Sequence, residues 1–169
     1  MKAISDSTPL IHLARVRKIH YLGNLFNEII ISEEIYKEVI NKGEEQSRTE
    51  VNLIKKLIEE KLITKKEANN IMEIPNLHKG EKEALSLCKE LKISNLLIDD
   101  KEGFNSAIML GLTPIRTTTI FIILLDKKII DFNEYKESLQ RLSESGYFLD
   151  ALTYERLLKI GKGIIESQT

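Results

Sequence analysis

The 169-residue chain predicts an α/β fold, a three-layer α/β/α arrangement around a central parallel sheet. Three observations lead there. Short β-branched runs alternate with stretches of helical periodicity, the connections between the runs are long enough for crossovers, and runs such as "EIIIS" are of the kind found in strands buried inside a parallel sheet. No internal repeat, low-complexity stretch or Pro/Ser-rich linker divides the sequence, so one domain over residues 1–169 is expected.

The elements follow in order. "KAIS" fits a first strand, and "PLIHLARV" begins a helix with Pro9 at the first helical position, where a missing N–H goes unnoticed. "HYLGNLF" continues in short helical pieces. "EIIIS", Glu28 to Ser32, reads as the second strand, and Ser32 caps the helix "EEIYKEVINKG", acidic in its first turn and ended by Gly43. From Glu44 to about Met72 the chain is highly charged and reads as a helical insertion, at about 44–74. Val51, Ile54, Leu57 and Ile58 form its packing stripe. Within it "TKKEANN" restarts a second helix, with Thr64 and Glu67 in capping-box register. "LHKGEKEALSLCKELKI" is a strong helix opened by Gly80, "NLLIDD" a buried strand ending in two aspartates, "EGFNSAIMLGL" a helix and "TPIRT" a short strand. Three further helices, "TTIFIILLDKKII", "NEYKESLQRLSESG" and "LDALTYERLLKIGKGII", finish the chain.

Composition excludes several classes of function. The formal net charge of −1 provides no global basic field for nucleic acid, so any such contact must be local. Cys88 is the only cysteine, which removes internal disulfides and cysteine-based zinc sites. His12, His20 and His78 are too scattered for a zinc motif and read as surface or helix-side residues. Tyr21, Phe26, Tyr36, Phe104 and Phe121 read as core packing, not as a base-stacking platform. Neither a signal peptide nor an apolar run of the ~20 residues that span a bilayer is visible, so a soluble, cytoplasmic protein without membrane contact is expected.

The acidic residues at strand ends carry the chemistry. In open parallel sheets, sites form outside the carboxyl ends of the strands. Asp6 ends the first strand, and Asp99 and Asp100 end "NLLI". Asp6 also stands where a helix N-cap belongs. In "GEKEALSLCKEL", Glu81 shares a line with Leu85 and Cys88 and extends the inward stripe, whereas Glu83 lies far round the helix. Glu38 flanks Ile35 and is less clear by periodicity. Converging carboxylates in a partly buried cleft raise one another's pKa unless a cation compensates them. Oxygen-only ligands suit Mg²⁺ or Mn²⁺, and an ion so held polarises a phosphodiester and activates water. Receiver domains need an acidic pair after the first strand, where this chain has only Asp6. "DST" lacks the second aspartate of a haloacid-dehalogenase motif.

The ordered pieces resemble the PIN-domain family, in particular a bacterial and archaeal subfamily of PIN-like proteins with an opening of the S-D/N-S/T-S/T-P-L-I type. "SDSTPLIHLARVRKIHYLGNLFNEIIISEEIYKEVI" is similar to that opening region, and "LHKGEKEALSLCKELKISNLLIDDKEGFNSAIMLGLTPI" to the family's second half. The resemblance implies a metal-dependent ribonuclease hydrolysing RNA phosphodiesters, with Mg²⁺ or Mn²⁺ held by acidic residues. It carries catalytic roles onto Asp6, Glu38, Glu81 (with Glu83 as alternative) and Asp99 or Asp100. Metal ligation falls on Asp6, Glu81, Asp99 and Asp100, with Glu38 and Glu81 completing the outer coordination. Ser7 and Thr8 take the place of the hydroxyl residues after the first aspartate, and Arg116 is set to meet phosphate or a neighbouring carboxylate. Many relatives are toxins of toxin–antitoxin pairs, so the resemblance also implies RNA, an antitoxin protein and a second copy of the chain as partners. A glutamate in place of the commoner third aspartate, and "RTTT" in place of Gly-Thr, depart from the pattern. The rival expectation is a non-catalytic PIN-like module that binds nucleic acid or protein.

Overall fold

The computed structural model describes residues 1–168. Five strands, β1 (Lys2–Ser5), β2 (Glu28–Ile31), β3 (Ile63–Lys65), β4 (Asn95–Leu97) and β5 (Thr113–Ile115), form one sheet in the order β3-β2-β1-β4-β5. Every pairing is parallel, with Ile4 opposite both Ile30 and Leu96 in the central register. Ala3, Ile4, Ile29, Ile30, Ile31, Leu96 and Leu97 are all buried, as a sheet covered on both faces demands. The chain winds outward from β1 to β3 and then returns to the other side of β1 for β4. Strand order therefore reverses between β1 and β4, and that crevice is where open α/β sheets place their ligands.

The helices around the sheet are α1 (Ser7–Arg15), α2 (Leu22–Leu25), α3 (Glu33–Tyr36), α4 (Lys42–Glu45), α5 (Val51–Glu59), α6 (Lys79–Leu91), α7 (Lys101–Met109), α8 (Thr117–Asp126), α9 (Phe132–Glu144) and α10 (Ala151–Gln168). Helix α1 starts directly after Asp6, so Pro9 is its third residue, not its first. The shift is harmless because none of the first four helical N–H groups has an intrahelical partner. Ser32 caps α3 as expected, its hydroxyl accepting from the Ile35 amide. Gly43 does not end that helical run but lies inside α4, packed against Val51. Between α3 and α4 runs one π-helical turn, Lys37–Asn41, which carries Glu38.

The charged region at 44–74 departs from the expected pair of helices. Helix α5 buries Val51, Ile54 and Leu57 as its periodicity predicts. "TKKEANN", however, forms no second helix: Thr64 sits in β3, and its hydroxyl donates to Glu28 on β2 at 2.7 Å. Two β-branched residues, Ile63 and Thr64, pair with the open edge of β2, and that pairing outweighs a weak local capping signal.

Helix α10 closes the C-terminal side by crossing α9 at Gly161. A Cβ there would come within 2.6 Å of Tyr135 Cε1. Tyr135 is fully buried and its hydroxyl donates to the Leu157 carbonyl, so the ring cannot swing away. Gly161→Ala gains up to about 1 kcal/mol of helix propensity but forces overpacking worth about 1–3 kcal/mol. The expected result is a net loss of stability of about 1 kcal/mol, read from the midpoint of urea unfolding; an unchanged or raised midpoint would contradict the close crossing.

Candidate active site

Asp6 continues β1 by one residue, its amide donating to the Leu97 carbonyl of β4 at 2.9 Å. It therefore stands in the crevice where strand order reverses. It also occupies the N-cap position of α1, yet its carboxylate makes no capping hydrogen bond. Only 4% of the residue is exposed. Burial pushes its carboxyl up to about 7, with further upward pressure from Glu81 and Glu38, against the downward pull of the Ser7 and Thr8 amides. A cap would satisfy the carboxylate. This one is buried and crowded by like charge, and the Ser7 and Thr8 amides that ease its charge form no capping hydrogen bond of full geometry.

Asp6, Ser7, Glu38, Gly80 and Glu81 line a small cavity of about 110 Å³, with Thr8 at its rim. Glu81, the third residue of α6, is buried and reaches back to accept from the His78 amide at 2.9 Å. Burial raises its pKa first, the bond from His78 lowers it, and Asp100 and Glu38 raise it again. Glu38 is half-buried and is brought to the same cavity by the π-helical turn. Such turns add a residue to the helical repeat and so re-aim what they carry. Gly80 lets α6 approach closely: a Cβ there would meet Ile35 at 3.3 Å and Glu38 at 3.5 Å.

Glu83 is buried as well, contrary to the expectation from its position round the helix. It accepts from the Glu34 amide at 3.2 Å and lies 3.8 Å from the Lys79 ammonium, so it ties α6 to the start of α3 and stays out of the cavity. The two aspartates after β4 also separate. Asp99 is occupied by hydrogen bonds: Oδ1 accepts from the Thr117 amide and the Tyr147 hydroxyl, and Oδ2 from the Thr117 hydroxyl. Asp100 is exposed, caps α7 through the Gly103 amide, and its charge is felt at Glu81.

Thr8, Asp99, Asp100, Lys101 and Arg116 border an adjoining open cleft of about 470 Å³. Thr8 belongs to both spaces, so the small acidic cavity opens beside the larger cleft. Among the described residues Arg116 enters no ion pair; its guanidinium lies 4.5 Å over the Phe104 ring. Phe104 is thus a half-buried support for a cation and not part of the closed core. His12 is likewise no plain surface residue: it faces this cleft edge-on to Tyr147, its Nδ1 is buried with no partner, and burial lowers its pKa. Its spacing of four from Thr8 on α1 is the signal that places it there. Tyr147 and Phe148, in the loop before α10, complete the cleft. "GYF" between two helical patterns is the sequence trace they leave.

A family model described as PIN domain (DUF3368) matches residues 2–162. The chain belongs to the PIN-domain family. PIN domains are generally nucleases and typically use divalent metal ions. A solved structure of a PilT N-terminus domain protein from the hyperthermophilic archaeon Sulfolobus solfataricus P2 is similar at 16% identity and a TM-score of 0.48, covering 71% of this chain and 90% of that one. No curated protein matches the chain.

The donor set of this PIN domain fits a hard divalent cation in chemistry: carboxylate oxygens, no sulfur, and excess negative charge on a buried side chain. Among the described residues, no group of three or more His, Cys, Asp or Glu side chains is closed up tightly enough to hold an ion as it stands. Cys88 is buried with its thiol pushed up to about 12, outside any such role. Another cavity of about 450 Å³ lies between α1 and α5, but each carboxylate that lines it faces a cation, Glu50 paired with Arg15 and Glu60 with Lys56. No helix among the described residues is long and apolar enough to cross a membrane.

Proposed function

We propose that this PIN-domain protein is a divalent-metal-dependent endoribonuclease, with Asp6 as the central ligand of a Mg²⁺ or Mn²⁺ ion. The observation that carries the reading is the state of Asp6: buried, without a capping bond, and raised to about 7 next to Glu38 and Glu81. Asp6, Glu81 and Asp100 would hold the ion, which when bound polarises a phosphodiester and lowers the pKa of water. Glu38, half-exposed at the same cavity, would complete the outer coordination and take up a proton from water there. Asp99 acts through others, holding the Thr117 end of α8 and the Tyr147 loop in position. Arg116, held over Phe104 and in no ion pair among the described residues, meets a substrate phosphate. Ser7 and Thr8 set the floor and rim between the acidic cavity and the cleft. The same reading makes residues 1–169 one PIN-like domain acting in the cytoplasm, as a homodimer and as the toxin partner of an antitoxin protein.

A second reading, a PIN-like module that binds nucleic acid or protein without cleaving, draws on the open spacing of the carboxylates. Cleavage of a fluorescently labelled RNA in Mn²⁺ decides between them. The wild type should cut, and Asp100→Asn should lose at least about ten times more activity than Thr117→Val, which touches the site only through Asp99. Equal background cutting by wild type, Asp6→Asn and Asp100→Asn would favour the binding module, as would absence of Mn²⁺ binding by calorimetry.

A further inference from the structure

Phe148 is 89% exposed, yet it is not a loose loop residue. Its neighbours on both sides, Tyr147 and Leu149, pack against the hydrophobic core, and Tyr147 is fixed further by its hydrogen bond to Asp99 and its edge-on contact with His12. The chain reaches this loop through Gly146, whose φ of +91° suits glycine alone. The backbone is therefore anchored while one large aromatic ring is turned outward at the cleft. The same cleft is lined by two cations, Lys101 and the Arg116 guanidinium, together with Asp100 and with Asp99, whose oxygens are engaged by Thr117 and Tyr147, and Thr8 joins it to the acidic cavity. An anchored aromatic ring in one cleft with an arginine held over Phe104 and a nearby lysine is a pairing that binds a stacked base and its phosphate.

We infer that Phe148 is a base-stacking platform and that Arg116, with Lys101, clamps the adjoining phosphate, so that the cleft positions a strand of RNA against the acidic cavity. The assignment rests on the nuclease reading for its choice of ligand, but binding tests it without cleavage. The base lies on the ring face, the backbone runs past Arg116, and the next phosphate reaches the Thr8 rim. A protein partner seated on Phe148 is the competing occupant, and it would leave RNA affinity untouched by changes at this residue.

The experiment uses full-length protein in EDTA, with a single-stranded oligouridylate carrying one 2-aminopurine, whose fluorescence is quenched by stacking. Wild type should bind with quenching. Phe148→Ala should weaken binding about 10-fold and remove the quench, and Phe148→Trp should restore both. Arg116→Gln should keep the quench but lower the salt dependence of binding by a little under one phosphate's worth. Unchanged affinity and quench in Phe148→Ala would overturn the platform, as would a wild type that binds no RNA. Quenching that depends on Phe148 in a protein that never cuts RNA in Mn²⁺ would sink the nuclease and leave the platform standing. Cutting with no Phe148-dependent quench would do the reverse.

Discussion

Asp6→Asn is expected to lose RNA cleavage and gain stability in the same protein. Loss of activity follows from removing the most buried carboxylate of the acidic cavity. Changing residues that merely support a metal ligand costs about 10–100-fold, so replacing the proposed central ligand should cost at least about 100-fold. The gain follows from the charge that the fold otherwise has to carry. With its carboxyl raised from 3.8 to about 7, Asp6 at pH 8 is ionised in a site that disfavours ionisation by on the order of 4 kcal/mol. Asparagine removes the charge and keeps the shape, although its amide still needs hydrogen-bond partners in a tight space. A net gain of about 2 kcal/mol, or a rise in Tm of roughly 5 °C for a chain this size, is the expected result in EDTA at pH 8. Scanning calorimetry of the two proteins, beside the cleavage assay, reads both halves. A variant that cuts normally, or that melts lower than wild type at pH 8, would refute the account of Asp6 as a strained ligand. Trading stability for a charged site is a common feature of enzymes; a purely structural cap would show loss of stability instead.

The parallel sheet and the residue that ends its first strand were legible because both are written locally. Ile29 to Ile31 and Leu96 to Ile98 are short apolar runs of the kind found in and beside strands covered on both faces, and Asp6 follows the first strand directly. Membership of the PIN-domain family was legible for a related reason, since the ordered pieces span most of the chain. What stayed hidden depends on contacts between distant residues or on irregular backbone. Strand β3 is three residues among charges and exists because β2 has an open edge to pair. Glu38 defeated a reading by 3.6-residue periodicity because it rides on a π-helical turn, where that period does not hold. Asp99 and Asp100 are adjacent in sequence and separate only when Thr117 and Tyr147, from α8 and the loop before α10, engage the first and leave the second toward Glu81. Phe148 is held at the cleft because Tyr147, beside it, bonds Asp99 from 48 residues further along the chain.

Mn²⁺ should raise the melting temperature of this protein far more at pH 8 than at pH 5.5. In the metal-free protein, native Asp6 keeps its proton to about pH 7 while unfolded Asp6 releases it near 3.8. Between those values the native state binds more protons than the unfolded state, so stability falls as pH rises through the window and levels off above it. Glu81, raised in the same direction, adds to the slope. A cation needs the ionised carboxylate and must displace that proton at pH 5.5, where a group of pKa near 7 is protonated about 30 to 1 and apparent affinity falls by the same ~30-fold factor. At a concentration about 100 times the intrinsic Kd, the ion contributes about 2.7 kcal/mol at pH 8 and only about 0.8 kcal/mol at pH 5.5. For a chain of this size the first is a rise of roughly 5–10 °C and the second roughly 2–3 °C. Thermal scans with and without MnCl₂ at constant ionic strength measure both, and Asp6→Asn should abolish the difference between them. Equal increments at the two pH values would mean that the ion binds elsewhere. No increment at either would mean that the acidic cavity stays a site of repulsion and takes up no cation.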